Sequence, residues 1–287
     1  MKNIEDEWSY FPGCSLATTA KEKNSSLKLF LNHFDIQLKE IEDWNCCGSS
    51  STHSVNSKLA LSLAARNLFL APPGKPLLIA CPSCFIRMGD SKIELDESKV
   101  RQKEYERQFD RPYNDDLQLS PFFELLLNMN ENGLFKNMTQ RLKGLKIAPY
   151  YGCMLARPPR MNKGKNYHGL IEKTMSSLGC EPLQWPSFST CCGTFLSVSR
   201  PEIAEKLVNR IMQDAIRSGA ECIVTACAMC HLNLEIRCRP ENRLPIFHFS
   251  ELLALALKGK APQKWFKRHL INPAPLLKKR RLDIYSS

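Results

Sequence analysis

The chain has 287 residues, 43% of them hydrophobic, and its 40 Lys and Arg against 29 Asp and Glu leave a net charge of +11. That length and apolar content suit about two globular domains with sizeable cores, which excludes a small secreted scaffold held together mainly by disulfides. No apolar run approaches the roughly 18 residues of a membrane span, and the opening MKNIEDEWSY lacks the apolar stretch and cleavage site of an export signal. A reduced, cytoplasmic setting is expected for its 13 cysteines. The excess positive charge comes with no nucleic-acid-binding motif, so no nucleic-acid partner is expected; a solvated basic surface, or an offset for anionic groups and acidic partners, accounts for it.

In chain order, Trp8 to Phe11 reads as a short strand ending at Gly13-Cys14, and Leu27, Phe30, Leu31 and Phe34 then share one helical face. Ile36, Leu38 and Ile41 suggest the next strand, which runs into Cys46-Cys47-Gly48, and Lys58 to Leu70 is an Ala/Leu-rich helix. After the break at Gly74-Lys75, Leu77 to Ala80 has the unbroken apolar character of a buried parallel strand and ends at Cys81. Asp96 to Arg111 is highly charged and Pro121 to Asn130 is rich in Phe and Leu, which predicts a mostly helical connector.

The second half repeats the plan. Lys146 to Tyr151 is the strand before Cys153, a helix lies near Gly169 to Leu178, and Glu181 to Gln184 precedes Cys191-Cys192-Gly193. Ile203, Leu207, Val208, Ile211 and Met212 stripe a helix closed by Gly219, Cys222 to Thr225 is the strand before Cys227, and Pro245 to Phe249 with Ser250 to Leu257 form a last strand and helix. Beyond Gly259 the sequence turns basic and proline-bearing, ending in Lys278-Lys279-Arg280-Arg281, and reads as a docking arm or loose end.

Cysteine is thus laid out twice in one order. Cys14, the pair Cys46-Cys47 and Cys81-x-x-Cys84 are separated by 31 and 33 residues; Cys153, the pair Cys191-Cys192 and Cys227-x-x-Cys230 are separated by 37 and 34. The recurrence predicts a duplicated thiolate-binding α/β domain: 1–95 as the first, 96–143 as the connector, 144–257 as the second and 258–287 as a basic tail. Each half should carry a parallel-type sheet flanked by helices, with its cysteines in the crevice beyond the strand C-termini.

Clustered thiolates are soft ligands for zinc, copper(I) or iron and sulfide. A closed zinc site takes four ligands, whereas each half offers five. The side chains of a Cys-Cys pair diverge and suit two different irons better than one small ion, so the surplus and the vicinal pair favour an iron–sulfur cluster. Gly48 and Gly193 would let the backbone turn tightly against inorganic sulfide, and Ser49 to Thr52, like Thr194 and Pro201, can introduce a helix.

With these residues assembled, the chain resembles the heterodisulfide reductase B-subunit family and the wider family of cysteine-rich CCG-domain proteins, from Tyr10 to about Leu257. The most specific stretches are Cys46-Cys47-Gly48, Tyr151-Gly152-Cys153 and the run from Gly219 to Glu235. The resemblance implies two tandem homologous CCG domains holding two noncanonical 4Fe-4S clusters. Cys14, Cys46, Cys47, Cys81 and Cys84 would ligate one, and Cys153, Cys191, Cys192, Cys227 and Cys230 the other. It also implies an oxidoreductase acting on sulfur groups, which splits a thiol-derived disulfide or related persulfide between the clusters, or forms it in reverse. Its electrons would come from a ferredoxin-like C-type subunit and a flavoprotein A-type subunit. Relatives of the same family serve as electron-transfer subunits of sulfur-oxidising and quinone-linked dehydrogenase complexes. Met154 stands where the methanogen members of that family carry His, and a methionine cannot donate a proton to a leaving thiolate.

The remaining candidates carry duller alternatives. Cys227-Ala-Met-Cys230-His231 also fits a haem-attachment pattern, against which stand the missing export signal and the absence of His after Cys84. His231 is a candidate hydrogen-bond donor to cluster sulfur or a core histidine; His53 is a candidate proton donor in the cleft or a surface histidine. Arg157 and Arg160 could clamp a carboxylate or phosphate on a substrate or be solvated. Cys180, Cys222 and Cys238 lie outside the repeat and read as core or near-surface residues. A zinc-stabilised interaction module is the third function class, after the enzyme subunit and the electron-transfer subunit. The basic stretch from Lys264 to Arg281 offers an attachment surface for an acidic partner or the anionic face of a membrane.

Overall fold

The computed structural model describes residues 7–49, 52–136, 138, 140–156, 167–258 and 260–285. Its first half runs β1 (Glu7–Phe11), α1 (Gly13–Ala17), α2 (Lys21–Asn32), β2 (Gln37–Glu40), α3 (Thr52–Val55), α4 (Ser57–Leu70), β3 (Leu77–Ile79), α5 (Pro82–Glu97), α6 (Lys99–Phe109), β4 (Leu119–Pro121) and α7 (Phe122–Glu131). The second runs β5 (Lys146–Tyr150), α8 (Gly152–Ala156), α9 (Leu170–Ser177), β6 (Glu181–Pro182), α10 (Pro201–Arg217), β7 (Cys222–Thr225), α11 (Ala228–Arg237), β8 (Ile246–His248) and α12 (Phe249–Lys258). The two sheets have the same order, β2-β1-β3-β4 and β6-β5-β7-β8, and every pairing in them is parallel.

Local chemistry explains these elements. The inner strands β3 and β7 are buried along their whole length, as the unbroken apolar runs require when helices cover both faces of a sheet. Edge strand β2 is by contrast polar and largely exposed, which keeps that edge from recruiting another chain. Asn56 caps α4 by accepting from the Leu59 amide at 2.9 Å, and Pro82 and Pro201 open α5 and α10, where a missing N–H costs nothing.

The duplicated α/β architecture expected from the cysteine repeat is present. One part of the expected connector differs: Leu119–Pro121 pairs with Leu77–Ile79 as the fourth strand of the first sheet. Three residues that include a proline carry no period-2 signal, and an edge position tolerates the missing N–H. The helix after that strand, α7, packs on α9 of the second half, while α12 packs on α2 of the first. Each half therefore lends its last helix to the other, and one apolar cluster runs through both, from Trp8 and Phe30 to Phe247 and Leu255. Ser26 on α2 and Ser250 on α12 also share a buried hydrogen bond of 2.7 Å.

The C-terminal stretch, expected as a docking arm or loose end, is folded onto the rest of the chain. Among the described residues, 260–285 holds β9 (Lys260–Pro262), α13 (Gln263–Phe266), α14 (Ala274–Lys279) and β10 (Asp283–Tyr285), with β9 and β10 paired in parallel. Trp265, Phe266, Ile271, Leu277 and Leu282 are buried, whereas Lys278, Lys279 and Arg281 stay exposed. Lys279 Nζ reaches Glu221 at 3.0 Å and Arg280 pairs with the same carboxylate. These apolar residues are too widely spaced to show a period, so only their docking against the rest of the fold, including that of α13 on α2, reveals them. Leu277→Ala should therefore destabilise the protein by about 2–5 kcal/mol in denaturant unfolding, and Lys278→Ala by no more than about 0.5 kcal/mol.

Candidate metal centre

In each half two cysteines of the repeat sit where a strand ends: Cys14 just past β1 and Cys81 past β3, then Cys153 past β5 and Cys227 past β7. Because β1 neighbours β3 and β5 neighbours β7, each pair of strands delivers its thiols to one edge of its sheet. The vicinal pairs arrive from the loops after β2 and β6. Asn45 holds the first loop by donating to the Cys46 carbonyl at 2.9 Å, and Asn67 on α4 in turn donates to the Asn45 carbonyl at 3.0 Å. Asn233 on α11 holds the second by donating to the Cys192 carbonyl at 2.7 Å.

The two sets have the same internal geometry. The two members of each vicinal pair reach different cysteines: Cys46 lies 3.6 Å from Cys14 and Cys47 3.0 Å from Cys84, while Cys191 lies 3.7 Å from Cys153 and Cys192 3.5 Å from Cys230, all between Sγ atoms. Cys14, Cys46 and Cys191 are exposed and Cys153 is half-buried, whereas Cys47, Cys81, Cys84, Cys192, Cys227 and Cys230 are buried. Each set is thus an outer pair facing solvent and an inner trio facing the core.

The sets also meet each other. Cys81 of the first and Cys227 of the second shift each other's ionisation in opposite directions. The helix that carries Cys84, α5, packs on α8 with Cys153, and α1 with Cys14 packs on α11 with Cys230. The ten thiols form one continuous centre at the junction of the halves.

Crowding decides their protonation. Cys46 is favoured as thiolate by its hydrogen bonds with Cys14 and Cys47, and Cys81 by Cys227 and Cys84. Their neighbours move the opposite way: Cys14 rises through its bond with Cys46 and then burial, and Cys47 rises to about 12, first through Cys46. In the second set Cys192 is lowered by Cys230, while Cys153 and Cys230 rise through their bonds with Cys191 and Cys192. Thiols packed this closely cannot all ionise together without cations to offset the charge, which is the situation of a metal-ligand set.

The backbone adds a second fit. A Cβ on Gly13, at φ +75°, would stand 3.0 Å from Cys84 Sγ, and one on Gly152, at φ +63°, 3.4 Å from Cys230 Sγ. These two glycines leave the thiols room. Gly48 and Gly193 also have φ +73°, but their open sides face Thr52 and Leu207 rather than sulfur. They make the tight turn after each vicinal pair, and the Gly193 amide donates to Cys191 Sγ at 3.4 Å. Soft donors, one more per set than a closed zinc site uses, and glycine-made clearance at the thiols together fit iron–sulfur clusters.

The other candidates fare differently. Arg157 and Arg160, like Ser50 and Ser51, lie outside the described residues, as does the side chain of His53. Among the described residues, no cysteine sulfur is a hydrogen-bond partner of the His231 ring. It is buried beside Glu235, 3.3 Å from its carboxylate on the next turn of α11, and crosses the His269 ring edge-on at 4.7 Å. Burial lowers it to about 4. Cys180 and Cys222 are buried in the core, and Cys238 is buried at the end of α11, all apart from the repeated sets. Sequence reasoning missed the polar group around His231, formed by Glu235, His248, Glu251 and His269, all buried. The i, i+4 spacing of His231 and Glu235 was its one visible sign.

A family model described as a cysteine-rich domain, CCG, matches residues 8–89 and again 147–235. The chain belongs to the CCG cysteine-rich domain family. It is 28% identical over 285 residues to the 8-methylmenaquinol:fumarate reductase membrane anchor subunit of Wolinella succinogenes, covering 95% of this chain and 100% of that protein. It is 23% identical over 287 residues to the B subunit of the ferredoxin:CoB-CoM heterodisulfide reductase of Methanosarcina mazei, covering 94% of this chain and 96% of that one. Its fold is similar to that of a hypothetical protein from Helicobacter pylori whose crystal structure superposes with a TM-score of 0.71 at 13% identity over 94% of this chain. The chain spans 53% of the length of that protein, and the likeness is one of fold. Among the described residues, no helix is long and apolar enough to cross a membrane.

The glycine clearance can be tested directly. Gly13→Ala should cost the first cysteine set its bound metal, lowering metal per chain by about half, because the new methyl displaces Cys84 Sγ. Gly74→Ala, at φ +76° with open space around it, should cost about 1–2 kcal/mol of stability from backbone strain alone and keep full metal content. Metal analysis alongside denaturant unfolding checks both.

Proposed function

We propose that the chain is the cluster-bearing B-type subunit of a multi-subunit oxidoreductase, with one 4Fe-4S cluster of noncanonical type at each five-cysteine set and a disulfide, thiol or persulfide substrate acted on between them. The observation that carries this reading is the meeting of the two sets where α5 packs on α8 and α1 on α11, with Cys81 and Cys227 shifting each other's ionisation. A disulfide has two sulfurs to be reduced together, and two redox centres that share one junction can address both. The clusters, when bound, would supply the two electrons that convert a disulfide and two protons into two thiols.

The protein's own residues set the access. The inner cysteines Cys47, Cys81 and Cys84, with Cys192, Cys227 and Cys230, are buried and would anchor the clusters. Cys14, Cys46 and Cys191 face solvent, with Cys153 half-buried, and define the side from which a sulfur compound would approach. The sequence has no Gly-x-Gly-x-x-Gly nucleotide motif and no ferredoxin-type Cys-x-x-Cys-x-x-Cys run, so the electrons would be exchanged with partners, a ferredoxin-like C-type subunit and a flavoprotein A-type subunit. Free, ligand-poised thiols in this number belong to a reducing, cytoplasmic setting.

A second reading is favoured by one observation. The Wolinella relative, matched over its whole length, is named as a subunit of a menaquinol:fumarate reductase. On that reading the same paired clusters relay electrons in a quinone-linked complex, and the exposed basic residues Lys278, Lys279 and Arg281 lie against the anionic membrane face. Met154 next to Cys153, which cannot protonate a leaving thiolate, suits the relay.

Anaerobically assembled protein should bind about eight irons with matching sulfide, and Cys192→Ala should lower this by about half. One or two irons with stoichiometric zinc would refute the cluster assignment in favour of a zinc-stabilised module. Low-temperature EPR then separates the two redox readings: a cluster signal altered by an added thiol supports sulfur chemistry. Signals indifferent to thiols but oxidised by a menaquinone analogue support the quinone-linked relay.

A further inference from the structure

Beside the second cysteine set lies a cluster of side chains that the cluster-bearing role does not use. His231 and Glu235 stand one turn apart on α11, and His269 comes from the segment between α13 and α14. All three are buried, with 1%, 6% and 8% of their surfaces exposed. One ligand atom from each lies within 4.8 Å of the others.

The separations are those of ligands around an ion. His231 Nε2 is 3.3 Å and His269 Nδ1 3.5 Å from the same oxygen, Glu235 Oε1. Two donors bound at about 2.0–2.1 Å to one tetrahedral zinc stand about 3.3 Å apart. Against burial, which would raise it, both imidazoles hold the Glu235 carboxyl low, yet among the described residues the ring nitrogens of His231 and Nδ1 of His269 lack the geometry of a hydrogen bond to any partner. Buried ring nitrogens left unpaired in this way point to a ligand.

Two of the three side chains are also held from behind. His269 Nε2 meets Glu251 Oε1 at 2.9 Å, which places the ring proton on Nε2 and leaves the Nδ1 lone pair facing the cluster of donors. This is the carboxylate–imidazole arrangement that supports metal-bound histidines. The backbone amides of Leu270 and Ile271 donate to the two oxygens of Glu235 at 3.0 and 3.4 Å. The nearby ammonium of Lys23 is already engaged by Glu22 at 2.7 Å. Two imidazoles and a carboxylate form a donor set of borderline hardness that suits zinc better than calcium or magnesium.

We propose that His231, Glu235 and His269 bind one zinc ion, separate from the cysteine sets, which ties α11 to the C-terminal segment. The Cys230-bearing helix would thereby be clamped against 263–285 by a bond the thiols take no part in. The site rests on nitrogen and oxygen donors alone, so it stands or falls independently of what the cysteines bind.

The test is metal analysis with zinc K-edge X-ray absorption on the full chain, prepared anaerobically with its iron in place. The wild type should hold about one zinc with nitrogen and oxygen neighbours at about 2.0–2.1 Å. Glu235→Gln and His269→Gln should each lower that zinc about tenfold or more while iron per chain is unchanged. If one variant loses its iron and so its fold, the other variant and the wild-type spectrum decide the matter. Zinc below about a tenth of an equivalent in iron-loaded wild type, zinc with only sulfur neighbours near 2.3 Å, or full zinc retention in both folded variants would overturn the assignment.

Discussion

The exchange of helices between the halves is the constraint on which the rest of this molecule depends. Parallel strands bring thiols to the C-terminal edge of each sheet, but a sheet edge alone presents only one set of five. It is the packing of α12 on α2 and of α7 on α9 that turns the two edges toward each other. The same docking sets each Gly-Cys turn against the other half's Cys-x-x-Cys helix. Neither half could relax away without exposing the apolar cluster from Trp8 to Leu255 that both contribute to.

Polar chemistry at that junction adds selectivity to apolar packing. Lys23 and Glu22 are paired and buried on α2, Arg268 reaches Glu22 at 2.9 Å, and Ser250 on α12 bonds both Ser26 and His248 at 2.7 Å. Buried charges cost desolvation that their attraction recovers only when every member is satisfied. A network spanning α2, α12 and the C-terminal segment therefore tolerates one docking geometry and penalises others. This explains why the C-terminal segment is part of the folded body: its Arg268 pairs with Glu22 of the first half and its Lys279 and Arg280 with Glu221 of the second.

The centre combines rigidity with exposure. Four inner thiols, Cys81, Cys84, Cys227 and Cys230, sit at the starts of α5 and α11. Cys47 and Cys192 are buried in the loops after β2 and β6, while Cys14, Cys46 and Cys191 stand open to solvent. A ligand set built this way keeps its metal through the buried members and meets other molecules through the exposed ones. The clearance left by Gly13 belongs to the same design, since a Cβ there would press on Cys84 Sγ at 3.0 Å.

Much of this was legible in the one-dimensional pattern. The repeat of Cys14, Cys46-Cys47 and Cys81-x-x-Cys84 by Cys153, Cys191-Cys192 and Cys227-x-x-Cys230 sufficed for two like α/β halves and for the grouping of the thiols, because strand runs and ligand spacing are local properties. What it could not contain were relations between residues far apart in the chain. Strand β4 was hidden because three residues make no period. The buried C-terminal segment was hidden because Trp265, Leu277 and Leu282 are apolar only here and there among lysines and arginines. The convergence of Cys81 with Cys227, and of His231 with His269, was decided by tertiary packing alone: side chains distant in sequence become neighbours only when the burial of shared apolar surface fixes how the two halves meet.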